Sequence, residues 1–579
     1  MASLSRPLAY PPQAETEKQL RLHSRSRRET AIVFCLFALA LLPRVMALGA
    51  RSLWLDEAAT EGIARLSWRH FWLLLSRHEA NMGLYYLLMR GWLRWGHGAA
   101  WLRLPSALFG ALAVVVGYAL LRRGFSRETA ILGALLLALN PFAIAYSQDA
   151  RAYSLAMLLG MLSTLFFMRA IENRRLAPWL AFDLAAIAAV YAHFFAVLVL
   201  AAEGVWLLWL RPGRRVWKKA AAHGAVILAG ISPLACFVLW RNDGQLFWVP
   251  PFAFHILGKI LGNFAGALDR SEWQFWPLAL AVYGLCLLAV WRPAALSLSI
   301  RHVSGFGRIF AKASAPKSKS GRAALGAKKF SAAGNLVGIS QPARRRLVML
   351  FVVWLLVPIL LCLLISLWQR ALVNRFLLVA LPPVPLLAAI GLRELRGKFR
   401  WAAVAALGAL SLSLLPRLYR APLQDWRAAA ACIAHRARPG DRLIVYGGYC
   451  ALPLEHYLRR WPRSPRLVYP RSANAYRLLT LRHGKLAARY GGIVALWRAL
   501  AGVRRRRLWL VGLAFFPHFQ LNRVTMKCLR HAGWPPGLRF RAGYHFTGVD
   551  VALFAPEALT AESDRSFRPK SQAEARGSY

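Results

Sequence analysis

The sequence predicts a polytopic α-helical membrane protein, with about 11 transmembrane helices and a C-terminal external α/β domain. Three observations predict it. The 579 residues are 58% hydrophobic and include 23 Trp, which exceeds the apolar share of ordinary soluble domains. Apolar runs repeatedly approach the ~20 residues that a helix needs to cross a bilayer. The net charge of +52, from 76 Lys+Arg against 24 Asp+Glu, is spread in short clusters between those runs, as the retention of basic loops in the cytoplasm produces.

Dispersed charge argues against nucleic acid as a partner, which would face one basic patch or stripe. Membrane lipids remain. Seven cysteines are scattered, with Cys35, Cys236, Cys286 and Cys362 inside apolar runs. No CxxC or Cys/His metal spacing occurs, so neither a zinc module nor a disulfide framework is expected. Residues 1–30 form a basic cytoplasmic N-terminus. The apolar run after it has no small-residue cleavage site, which predicts a retained first span.

Charge then sets the topology. Span 1 (about 31–50) runs outward and places Asp56 and Glu57 outside. The next basic cluster, Arg122 to Arg127, stays inside only if one span separates it from those carboxylates. The runs 64–75 and 83–95 are too short to cross and carry Arg and His, so they fit helices lying on the membrane surface. Span 2 is then 103–121, and the first external loop is 51–102. Spans 3 to 8 follow at about 128–146, 152–171, two within 177–210, 220–240 and 275–291, with an external loop at 241–274. The segment 292–346, rich in Lys, Arg, Ala, Ser and Gly, reads as a disordered cytoplasmic linker. Spans 9 to 11 (about 347–368, 376–392 and 401–416) complete a membrane domain over 31–417. Residues 418–579 alternate helix-like and strand-like runs, which predicts the α/β domain.

The polar residues near membrane level collect on the outer side. They are Asp56, Glu57 and Glu61, then Glu79 and Asn81, Asp149 and Arg151, His193, Asp269, Arg270 and Glu272, and Arg370 and Arg375. Ionisable groups there are costly and usually have partners or a task. Taken singly, each has an ordinary explanation. Asp56 suits a helix N-cap, and Glu57 a helix dipole. Asp149 and Arg151 suit a surface ion pair, His193 a packing role, Glu79 and Asn81 loop polarity, and Arg375 snorkelling to headgroups. Taken together they suit one chemistry, in which arginines hold a lipid-borne phosphate and an aspartate deprotonates a hydroxyl acceptor.

"LWLDEA" after span 1, "NMGLYYLLMRGWLRW", "RLPSALFGALAVVVGYAL", "ALNPFAIAYSQDARAYSLAMLL", "YAHFFAVLVL", "NRFLLVALPPVPLLAAIGL" and "DWRAAAACIAHRARPGDRLIV" resemble the GT-C membrane glycosyltransferases. The nearest likeness is to the family 39-like group, with the protein O-mannosyltransferases and the lipid A aminoarabinose transferase. The resemblance implies a GT-C fold and an inverting transfer from a polyprenyl-phosphate sugar, with mannose as the sugar by analogy, to a hydroxyl acceptor on protein, lipid or envelope glycan. It makes Asp56 the general base, with Glu57 orienting either that base or the acceptor. It gives the carrier phosphate to Arg375 and Arg151 with Arg270 behind them, and places Asp149, His193, Glu79 and Asn81 around the substrates. A divalent metal gathered by Glu57, Glu79 and His193 is a possibility it raises without a ligand spacing to support it. The sequence departs from the family where Asn81-Met82-Gly83 replaces a common Pro-Pro pair. The expected location is a bacterial inner membrane with a periplasmic active site. Two alternatives stand: a secondary transporter, which the absence of an internal repeat disfavours, and an inactive glycan- or lipid-binding scaffold.

Overall fold

The computed structural model describes residues 13–173, 175–240, 249, 251–268, 275–291, 341–445, 450–459, 461, 465–469, 506–513 and 538–556. The expected spans fall on helices or bent helix pairs. Helix α1 (Gln13–Val45) leads to the short α2 (Leu55–Ala64), α3 (Trp68–Arg77) and α4 (Gly83–Trp92) of the first loop. After them come α5 (Ala99–Leu121), α6 (Arg127–Leu139), α7 (Pro141–Ser147), α8 (Tyr153–Glu172), α9 (Ala177–Ala192), α10 (Val197–Leu210), α11 (Arg214–Trp240) and α12 (Phe254–Ala265). Helix α13 (Phe275–Trp291), α14 (Gln341–Ser366), α15 (Pro383–Glu394) and α16 (Gly397–Arg420) complete the helical part. Most of the expected linker, 292–340, lies outside the described residues. Helix α14 starts at Gln341, inside the linker's predicted end.

Five of these helices are long and apolar enough to cross a membrane, or seven when each bent pair is one span. That is fewer than the predicted eleven. The shortfall includes α9, of 16 residues, and α10, of 14, which at 1.5 Å per residue span less than a ~30 Å hydrocarbon core. Helices α5 and α8 form the centre, with 67% and 72% of their apolar windows buried, whereas α11 and α16 bury only 17% and 28% and face outward.

The two bends have chemical causes. Helices α6 and α7 meet at 60°, where Asn140 caps α7 by accepting from Ala143 N at 2.9 Å and Pro141 removes a helical donor. Leu137 O, whose helical partner would be Pro141 N, instead accepts from Arg44 Nη2 at 3.4 Å, and Ala138 O accepts from Nη1 at 2.9 Å. Arg44 is wholly buried, and Gly110 makes room for this contact: a Cβ there would stand 2.1 Å from Ser147 Oγ and 2.9 Å from Arg44 Nε. The second bend, 51°, joins the 3-10 segment Asn374–Ala380 to α15 at Pro382-Pro383.

The first-loop helices are amphipathic as predicted. Helix α3 buries Phe71, Leu74 and Leu75 while Trp68 and Trp72 stay exposed. Helix α4 buries Tyr85, Tyr86 and Met89. Met82, preceding α4, has φ 67°, a conformation that proline's fixed φ forbids. The departure from the Pro-Pro pattern thus goes with a different backbone turn.

The C-terminal part carries α17 (Trp426–Arg436), β1 (Arg442–Val445), α18 (Ala451–Leu458), β2 (Arg466–Tyr469), β3 (Leu508–Leu513), β4 (Leu538–Phe546) and β5 (Val549–Pro556). They form a five-stranded sheet in the order β2-β1-β3-β5-β4. Strand β1 pairs parallel with β2 and β3, and the β4–β5 hairpin joins antiparallel to β3 through β5. The helix-like run 519–533, one of those that predict the α/β domain, lies outside the described residues.

Candidate active site

The start of α2 places two carboxylates one residue apart on different faces. Glu57 is sealed, at 1% exposure. Arg103 of α5 grips it with both prongs, Nε to Oε1 and Nη2 to Oε2, each at 2.6 Å. The same Oε1 accepts from Ala150 N at 3.0 Å, and Oε2 from Trp54 N at 3.3 Å. The last bond makes Glu57 the residue that reaches back to cap α2. Arg103 also donates to the carbonyls of Leu48, Arg51 and Ser52. Glu57 and Arg103 therefore tie three segments together: the loop 48–54, α5 and the turn at Ala150.

Asp56 lies inside the first turn of α2 and makes no capping bond, so the N-cap explanation fails for it. Its side chain is 24% exposed. Arg375 Nη2 stands 3.7 Å from Oδ2 and Arg151 Nη2 3.9 Å from the same atom. These are ion-pair distances without a close hydrogen bond, and no hydrogen bond to either Asp56 carboxylate oxygen is found among the described residues. Arg151 is steadied elsewhere: Nη1 donates to Tyr86 Oη at 3.2 Å and to Asp56 O and Thr60 Oγ1 at 3.4 Å. Burial opposes its charge, but the phenols and carboxylates around it, Tyr86 and Asp56 foremost, hold its pKa well above the ordinary value. Arg375 lies over the Trp54 ring at 5.4 Å, carried there by the 3-10 segment before the proline bend.

Asp149 is not the surface ion pair its neighbour Arg151 suggested. It is buried and accepts from Trp54 Nε1 at 2.8 Å. Burial, and then the charge of Glu57, push its pKa up to about 7, against the hydrogen bond from Trp54 and the charge of Arg151. His193 is buried too. Its pKa falls to about 3, first through burial and then through Arg151 and Arg375. A neutral ring whose Nδ1 accepts from Phe195 N at 3.3 Å carries its proton on Nε2, and that atom is unpartnered. Asn81 Oδ1 accepts from Phe194 N at 3.1 Å, which joins the first loop to the His193 turn. Glu79 lies close enough for its charge to act on Tyr86 and Arg151. Arg370 is exposed, and Arg270, with Asp269 and Glu272, lies outside the described residues.

The metal possibility does not fit. Both Glu57 oxygens are committed to Arg103, and no three His, Cys, Asp or Glu side chains gather to hold an ion among the described residues.

Several site residues escaped the sequence. Arg103 read as the first residue of span 2, although a charge opening an apolar run is itself a signal. Trp54, Thr60 and Tyr86 offered none. A cavity of about 380 Å³ adjoins the site, lined among others by Arg51, Trp54, Asp149, Lys259, Asn374 and Arg417. Trp54 thus borders both this cavity and the Arg375 guanidinium.

Residues 83–240 match the family described as dolichyl-phosphate-mannose-protein mannosyltransferase. No curated protein matches the chain at the sequence level. Among solved structures, apo ArnT from Cupriavidus metallidurans superposes with a TM-score of 0.55 at 15% identity, covering 91% of this chain and 98% of that one. ArnT from the same organism bound to undecaprenyl phosphate gives 0.54 at 14% identity, with 90% and 98% covered. In its matched module and in the fold along most of its length, the chain is similar to the GT-C membrane glycosyltransferases.

Proposed function

We propose that the protein is an inverting glycosyltransferase that moves a sugar from a polyprenyl-phosphate carrier to a hydroxyl acceptor on protein, lipid or envelope glycan. The observation that carries this reading is the Asp56 carboxylate, partly exposed, ion-paired at 3.7 and 3.9 Å to Arg375 and Arg151. In the reaction, Asp56 takes the acceptor hydroxyl's proton. The freed oxygen attacks the sugar's anomeric carbon on the face opposite the phosphate. The carbon–oxygen bond to the carrier breaks, and its electron pair leaves on the polyprenyl phosphate, whose charge Arg375 and Arg151 meet. A phosphate oxygen leaves without a general acid, so one carboxylate suffices where soluble glycosidases use two.

The basic clusters between spans support a bacterial inner membrane with Asp56 on the periplasmic side and residues 418–579 as a periplasmic domain. The ArnT complex with undecaprenyl phosphate supports a lipid carrier, and the family description favours mannose. The test is sugar transfer by purified protein in liposomes. It uses a panel of labelled polyprenyl-phosphate sugars and an envelope extract as acceptor pool. Transfer by wild type that disappears in folded Asp56→Asn is the expected result. Equal transfer by both would remove Asp56 from catalysis, and no transfer with any donor would overturn the function.

A further inference from the structure

The C-terminal part of the chain reaches back to the loop that carries Asp56. The backbone N–H groups around a helix start lack intrahelical acceptors, and those of Leu53, Trp54 and Leu55 are each taken by a side chain. Tyr457 Oη accepts from Leu53 N at 2.7 Å, Glu57 Oε2 from Trp54 N at 3.3 Å, and Gln424 Oε1 from Leu55 N at 3.0 Å. Arg427 holds the preceding residues: its guanidinium donates to the carbonyls of Ala50 at 2.8 Å, Gly49 at 2.9 Å and Arg51 at 3.3 Å, and its backbone N donates to Ser52 Oγ at 3.1 Å. Further along α2, His456 Nδ1 lies 2.7 Å from Glu61 Oε2. The loop is therefore gripped from two sides, by Arg103 and Glu57 on one and by α17 and α18 on the other. Leu53 is fully buried, so water cannot replace a lost acceptor there.

We infer that Gln424, Arg427 and Tyr457 are positioning residues for Asp56. They fix the backbone from Gly49 to Leu55 and so set the Asp56 carboxylate against Arg151 and Arg375. The inference rests on the reading of Asp56 as the base. A misplacement of about 1 Å at the reacting groups can cost about 100-fold in rate, so a clamp of this kind acts on turnover more than on donor affinity.

Two measurements on the full-length protein in detergent separate the clamp from the chemistry. The first is hydrogen exchange over peptides spanning residues 48–60, which needs no donor. Tyr457→Phe combined with Gln424→Ala should speed exchange at the Leu53 and Leu55 amides about tenfold or more, because each loses its acceptor. The second is transfer kinetics. The same variant should lose about 10- to 100-fold in kcat with the donor KM nearly unchanged, and Arg427→Lys should retain more kcat than Arg427→Ala. Arg459→Ala, at an exposed residue just past the end of α18, should change neither measurement. Unchanged exchange at residues 53–55 overturns the clamp. Faster exchange with wild-type kcat per folded enzyme overturns the positioning role. A wild type that transfers no sugar overturns the reading of Asp56 and the catalytic half of the inference with it, and exchange alone then decides whether the clamp exists.

Discussion

The two faces at the start of α2 make the sharpest comparison in the molecule. Glu57 turns inward and spends both oxygens on Arg103, Ala150 N and Trp54 N. Asp56, the preceding residue, turns to a partly open space and has two guanidinium groups near it at distances too long for close hydrogen bonds. A carboxylate saturated with short charge-assisted bonds is a strut, because every lone pair is committed. A carboxylate held only by longer-range charge keeps a lone pair for a proton. Adjacent residues of the same chemical class thus divide structure from chemistry, and the packing around α2 makes the division.

Breaking the comparison at Asp56 should give the largest effect. Asp56→Asn should cost 10²- to 10⁴-fold in transfer, the usual contribution of a general base, and leave the unfolding midpoint in detergent nearly unchanged. Glu57→Gln should show the opposite pattern. It leaves Arg103 buried without its countercharge, and breaking a buried pair of this kind costs about 3–5 kcal/mol. Chemical unfolding of Glu57→Gln, with activity normalised to folded protein, checks this. If both variants lose activity at equal stability, the division between strut and base collapses.

A smaller change sharpens the Asp56 side. Arg375→Lys keeps the charge and loses the planar fork, which suits phosphate better than an ammonium does. A hydrogen bond to a charged group contributes about 1.5–3 kcal/mol, so kcat/KM for the donor should fall on the order of 10- to 100-fold. The loss should shrink if the assay uses a carrier with no phosphate charge to meet. Kinetics against carriers of different charge measure the difference.

What the sequence made legible follows from local pattern. Apolar run length located the helices, and charge between runs drew Asp56, Arg151 and Arg375 to one side, where the structure brings their side chains together. For Asp149 the surface ion-pair explanation fails, because burial depends on neighbours that pattern does not show. Arg103 and Arg44 were missed for a related reason. Their partners stand far along the chain, at Glu57 and at Leu137 and Ala138, and one-dimensional periodicity carries no information about such pairings. The same holds for Tyr457, whose hydroxyl accepts from the distant Leu53 N. Among the described residues fewer helices reach a span's length than the eleven expected, because α9 and α10 are apolar but short, and an apolar pattern alone does not fix where a helix stops.

Asp149 and Glu61 extend the comparison to pH, with opposite signs. Burial first, and then Glu57, raise the Asp149 pKa to about 7, whereas the unfolded chain releases that proton near 3.9. Between those values the folded state holds a proton that the unfolded state has lost. Stability therefore falls as pH rises through this window, by at most about 1.4 kcal/mol per unit, and levels off above it. Glu61 behaves in reverse. Burial pushes its pKa up, but the hydrogen bond and charge of His456, with Arg65, outweigh that and leave it lowered. Its contribution is present above the unfolded value near 4.3 and is lost as pH falls through the folded one, so the two windows barely meet. Thermal unfolding of wild type and Asp149→Asn between pH 5 and 8 isolates the first. Because Asn cannot titrate, the variant should gain on wild type as pH rises toward 7 and keep a constant margin beyond it. An equal margin at pH 5 and pH 8 would mean that the Asp149 carboxyl carries no extra proton, and that Trp54 and Arg151 hold it ionised in the folded protein.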